Sequence, residues 1–138
     1  MKNLDLLAAQ AAQKIIDDTT TINNVRLEAG KVDNLVTKAL GVLQENGVYA
    51  ALLYLYSRTE KVDKFVAEKT RMKLLALTSE LGLSVPTSND AGTNLKFITE
   101  NICNDLDRLL LVKQLWEQTL IYARYGAKAR SAAEDVKQ

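Results

Sequence analysis

Val32-Asp-Asn-Leu35-Val36-Thr-Lys-Ala39-Leu40-Gly-Val-Leu43-Gln-Glu-Asn46-Gly47-Val48-Tyr-Ala-Ala-Leu-Leu-Tyr-Leu-Tyr56 is the stretch that decides the fold. Val32, Leu35, Val36, Ala39, Leu40 and Leu43 recur at steps of three and four, the spacing of one apolar helix face. Asn46-Gly47 then ends that helix, because these residues accept the left-handed backbone in which helices close. The nine residues Val48–Tyr56 are apolar almost all round, which marks a short, buried third helix. Nine is about half the ~20 residues that a membrane span requires.

The same spacing extends in both directions. Leu4, Leu7, Ala8, Ala11 and Ile15, with Ala12 beside them, predict a first helix over residues 3–18. Residues 17–21 are poor helix interior, so Asn23 or Asn24 is expected to cap the second helix. Ser57-Arg58-Thr59-Glu60 has capping-box spacing and predicts a fourth helix running to Leu81 and stopping at Gly82. Residues 83–94 hold the single proline, Pro86, and read as the one clear loop. Leu95, Ile98 and Ile102 mark a short fifth helix, and Asn104 or Asp105 caps a sixth that reaches about residue 133. No stretch alternates with period two, so strands are not expected. The expectation is an all-α, single-domain bundle over residues 1–138, with about six helices and a long C-terminal one.

The 138 residues are 47% hydrophobic and 25% charged, which is the composition of one globular domain. There is no histidine, which excludes Ser-His and Cys-His nucleophile pairs and histidine-ligated metal. The lone Cys103 excludes a zinc knuckle, an iron–sulfur cluster and an intrachain disulfide. Residues 1–14 read as an amphipathic helix rather than a signal peptide. A cytoplasmic, non-catalytic protein without cofactor, metal or membrane partner is expected. Glu100, Asp105, Asp107, Asp17 and Asp18 read as solvated helix ends. Cys103 and Trp116 read as core residues.

Charge is balanced overall, 18 basic against 17 acidic residues, but not along the chain. Residues 86–107 carry one base and four acids, whereas residues 108–138 carry six bases and three acids. In the last helix Leu109, Val112, Trp116, Leu120, Ala123 and Ala127 form one apolar face, and Leu111, Leu115, Tyr122 and Tyr125 a second. A helix apolar on two sides packs on its own bundle with one and on a neighbour with the other. Between the faces run Lys113, Glu117, Arg124 and Lys128, with Arg130 on another side. Lys113, Arg124, Tyr125, Lys128 and Arg130 are therefore the candidate nucleic-acid-binding residues, by phosphate contact and stacking. The same cations also suit contacts to protein. Leu77-Thr-Ser-Glu-Leu-Gly-Leu-Ser84 has the look of a helix-turn-helix turn, yet residues 85–94 lack the basic, periodic recognition helix such a regulator needs.

Two segments carry a family resemblance. Residues 35–54 resemble the central signature of the small subunit of the type III-B CRISPR (Cmr) effector complex, where a helix ends at Asn-Gly and a short apolar helix follows. Trp116-Glu-Gln-Thr-Leu-Ile-Tyr-Ala-Arg-Tyr-Gly-Ala-Lys-Ala129 resembles that family's closing helix, in which an aromatic residue precedes Arg-Phe/Tyr-Ala. Arg124, Tyr125 and Gly126 approximate that pattern. The family has Leu-Pro where this chain has Lys38-Ala39, and its tryptophan falls nearer the Arg-Tyr pair than Trp116 does. The resemblance implies a non-catalytic helical block in antiviral defence. Such a block stacks on copies of itself, on the large subunit and on the backbone subunits, and lines the channel for CRISPR RNA paired with target RNA. Arg124 and Tyr125 fall on the closing-helix motif, Asn46 and Gly47 on the helix break. A helix-turn-helix regulator and a helical protein–protein adaptor are the alternatives.

Overall fold

Apolar stripes at helical spacing fold here into the expected bundle. The computed structural model describes residues 3–136, so the outermost residues of the expected 1–138 domain lie outside it. The order is α1 (Leu4–Asp17), β1 (Thr21–Ile22), β2 (Val25–Arg26), α2 (Ala29–Asn46), α3 (Val48–Tyr56), α4 (Lys61–Ser79), α5 (Ala91–Asn101) and α6 (Leu106–Val136). The molecule is all-α apart from the small hairpin, and its last helix is the longest at 31 residues.

Helix α6 is the spine. Val112, Trp116, Leu120, Ala123 and Ala127 are all buried, as the first apolar face predicts. They join one continuous core with Val32, Leu35, Val36, Leu40 and Leu43 of α2 and Leu52 and Leu55 of α3. The second face meets a different partner from the one expected. Leu115 packs with Ala8, Ala11 and Leu77 in a separate small core, and the Tyr122 hydroxyl donates to Asp5 Oδ1. Helix α1 of the same chain thus covers much of the face expected to meet a neighbour, while Tyr125 stays 62% exposed.

The hairpin corrects the expectation of no strands. Thr21 pairs with Arg26 and Ile22 with Val25, antiparallel. Two-residue strands are too short to show alternation, and the signal lies in the turn. Asn23 and Asn24 have φ of 50° and 64°, the two positive values that a type I′ turn requires and that asparagine tolerates. Neither asparagine caps a helix. Helix α2 starts instead at Ala29, with Glu28 at the cap position and no side-chain cap bond.

Other boundaries moved for local reasons. Ser57 closes α3, its hydroxyl donating to the Tyr54 carbonyl at 2.8 Å, so it does not open α4. Glu60 is the α4 cap, accepting from the backbone N–H of Val62 and Asp63 at 3.1 and 2.9 Å. Helix α4 ends at Ser79, two residues before the expected Leu81. Asp90 caps α5 through Thr93 N–H at 2.9 Å, which makes residues 91–94 helical rather than loop. Cys103 is exposed and not core, because it follows the α5 cap with its N–H on the Ile98 carbonyl.

Gly47 carries the break between α2 and α3, with φ 96° and ψ −174°. That backbone region is essentially closed to residues with a Cβ. Gly47→Ala is therefore expected to destabilise the fold by about 1–3 kcal/mol, although open space surrounds the site. Chemical denaturation should show a lower midpoint with an unchanged slope.

Candidate nucleic-acid interface

The five residues singled out on the closing helix have different surroundings. Lys113 sits one turn before Glu117, with Nζ 3.8 Å from the carboxylate. Lys128 reaches across to α2, placing Nζ 3.1 Å from Asp33 Oδ2. Asp33 in turn accepts from the Thr37 hydroxyl, so this contact ties α6 to the first turns of α2. Arg124 lies over the Tyr125 ring at 5.9 Å, and its Nε is buried without a hydrogen-bond acceptor. Tyr125 projects from the helix and is the most accessible of the five.

Arg130 points inward. Its Nη1 donates to the carbonyls of Ile16 and Thr19 at 3.5 and 3.2 Å, and Nη2 to that of Leu27 at 2.8 Å. Nε stands 3.3 Å from Glu134, which also pairs with Arg26 at 3.0 Å. One guanidinium therefore joins the end of α1, the turn before the hairpin and the residue after the hairpin. The Ile16 carbonyl also accepts from the backbone N–H and the hydroxyl of Thr19, at 3.3 and 3.2 Å. The Arg26 hydrogen bond to Glu134 comes first among the influences that hold its carboxyl below the usual glutamate range.

Gly126 explains one departure from the resembled motif. A Cβ there would meet Ile16 Cγ1 at 3.1 Å, so the glycine lets α1 approach α6 closely. Beside it an open groove of about 570 Å³ runs between the two helices, lined by Ala9, Ala12, Ile16, Tyr122 and Gly126 among others.

The acids read as helix ends are placed as such. Asp105 accepts from Arg108 N–H at 3.2 Å at the start of α6, Lys96 pairs with Glu100 along α5, and Asp18 pairs with Lys73. No group of three acid or cysteine side chains among the described residues is arranged to hold a metal ion. Among those residues no helix is long and apolar enough to cross a membrane.

Lys14, Lys31, Lys38 and Arg124 make no ion pair among the described residues. Five further cations without one, Arg58, Lys61, Lys64, Lys69 and Arg71, cluster at the end of α3 and along α4. The sequence signal was present, since the α4 segment holds five bases and two acids, but charge summed over longer segments diluted it. No protein-family model, curated protein or solved structure matches the chain.

Proposed function

We propose that this protein is a non-catalytic small subunit of a type III-B CRISPR (Cmr) effector complex. In this reading it stacks on other subunits in the cytoplasm and lines the channel for CRISPR RNA and target RNA in antiviral defence. Beyond the resemblance, the observation that carries the reading is apolar exposure at two separate places. Leu106 and Leu110, one turn apart on α6, are 68% and 55% exposed. Tyr49 and Leu53, one turn apart on α3, are exposed as well. Paired apolar side chains left in water by a bundle with an otherwise filled core mark surfaces for other subunits. Around the first pair Asp105 is paired with Arg108 at 3.8 Å, and Asp107 stands beside them.

Two features support a scaffold whose chemistry is supplied by neighbours. Asn46-Gly47 falls on the real helix break, and the Trp116–Ala129 segment lies within the central helix. The helix-turn-helix reading has no comparable support. Eleven residues separate α4 from α5, against the three or four of such a turn, and Lys96 is paired with Glu100.

Affinity purification of the tagged full chain from its native cells tests the proposal. The expected result is recovery in one large assembly with a polymerase-like large subunit, backbone subunits and small guide RNA. Recovery as a free chain, without RNA or those subunits, would contradict it.

A further inference from the structure

We infer that the surface engaging nucleic acid lies on α4 and the end of α3, with most cations of the closing helix already paired within the chain. Lys113, Lys128 and Arg130 have acidic partners, and Arg124, which has none among the described residues, lies over the Tyr125 ring with its Nε buried. A cation already paired gives up that partner to reach a phosphate, which weakens its net attraction. Arg58, Lys61, Lys64, Lys69 and Arg71 have no such competitor among the described residues. Lys61 and Lys64 are exposed on the first turn of α4.

Three of these cations rest on aromatic rings instead. Arg58 lies 4.1 Å from the Tyr54 ring, Arg71 4.3 Å from that of Tyr56, and Lys69 5.3 Å from that of Phe65. Stacking on a ring orients a cation without neutralising it. All three rings are half-buried against the core, so the surface places positive charge beside partly accessible aromatic rings. That juxtaposition fits a single strand, whose phosphates are drawn by the cations and whose bases stack on rings and guanidinium planes.

The arrangement also has the reach of a polymer site. From Lys61 to Arg71 the helical rise of α4 covers roughly 15 Å. Three acids, Glu60, Asp63 and Glu68, stand beside the five cations, and Glu60 keeps its charge while its carboxylate caps α4 through two backbone N–H groups. The inference deepens the subunit reading and rests on it only for the choice of RNA as the polyanion.

The test is fluorescence anisotropy of a labelled oligouridine with the isolated full chain across a salt series. Binding should weaken with a log–log slope of about −2 to −3, as expected for three to five displaced counterions on a single strand. Lys61→Ala, Lys64→Ala and Lys69→Ala together should lower affinity about tenfold or more at ~0.1 M salt, with an unchanged melting temperature. Lys113→Ala with Lys128→Ala should leave affinity within about twofold. No salt-sensitive binding by the wild-type chain, or equal loss in both variants, would overturn the inference. Failure of the subunit reading would show separately, as absence of the assembly in the purification above.

Discussion

Trp116→Ala is expected to cost about 3–5 kcal/mol of stability, as large-to-small aromatic replacements in filled cores do. Trp116 is the largest fully buried side chain, at 0% exposure. It stands where α6 meets both the main core and α4, and its Nε1 donates to the Thr78 hydroxyl at 2.9 Å. That hydroxyl passes its own proton donation to the Leu74 carbonyl at 2.8 Å. Truncation removes the ring contacts and also one bond to a buried hydroxyl. Trp116→Phe separates the two effects. It keeps most of the volume, so it should cost less than half as much, with the remainder reporting the lost hydrogen bond. Urea denaturation followed by circular dichroism gives both values, and a cost below about 1 kcal/mol for Trp116→Ala would refute a central role for this side chain.

Arg130→Ala is expected to be nearly as damaging, at about 2–4 kcal/mol, despite its position on a helix first read as nucleic-acid-binding. Its side chain is only 16% exposed and its guanidinium donates to three carbonyls from two other segments. Without it the Thr19 and Leu27 carbonyls lose this donor, the Ile16 carbonyl keeps only Thr19, and Glu134 keeps only Arg26. Arg130→Lys should not rescue, because an ammonium lacks the planar fork that spans these acceptors. Lys128→Ala should be nearly silent, since its pair with Asp33 is half-exposed. The Glu134 carboxyl adds a pH signature. Its folded value lies below the ordinary 4.5, so its contribution is complete above the unfolded value and disappears as pH falls through the folded one. Because Arg26 is the main cause, the stability difference between wild type and Arg26→Ala should narrow as pH falls through that lowered value.

These two residues show what the sequence makes legible. Trp116 belongs to a five-turn apolar face, and periodicity alone places it in the core. Arg130 is invisible to the same reading, because its acceptors are backbone carbonyls more than a hundred positions away. Position on a wheel shows that a cation leaves the apolar face, but not whether it reaches water or a neighbouring helix end. Tyr122 falls on the second face, and the wheel does not show that α1 covers that face, approaching closely at Gly126. The hairpin was missed because two-residue strands have no period, although the Asn23-Asn24 pair between Ile22 and Val25 encodes the turn. Ser57 and Glu60 were both recognised as capping residues, yet spacing alone could not assign them to opposite helices.

The α4 surface was the less legible half of the candidate site. Only the pairing of side chains distinguishes cations that tie helices together from cations left without partners. Net charge per helix would have pointed the same way, five bases and four acids in α6 against five and two in α4.

Ultraviolet cross-linking of RNA to this chain within the purified assembly, with peptides mapped by mass spectrometry, tests the central claim most directly. The predicted result is cross-linked peptides from residues 54–73, centred on Tyr54, Tyr56 and Phe65. Cross-links confined to residues 113–130, or none to this chain in an assembly that holds RNA, would contradict it.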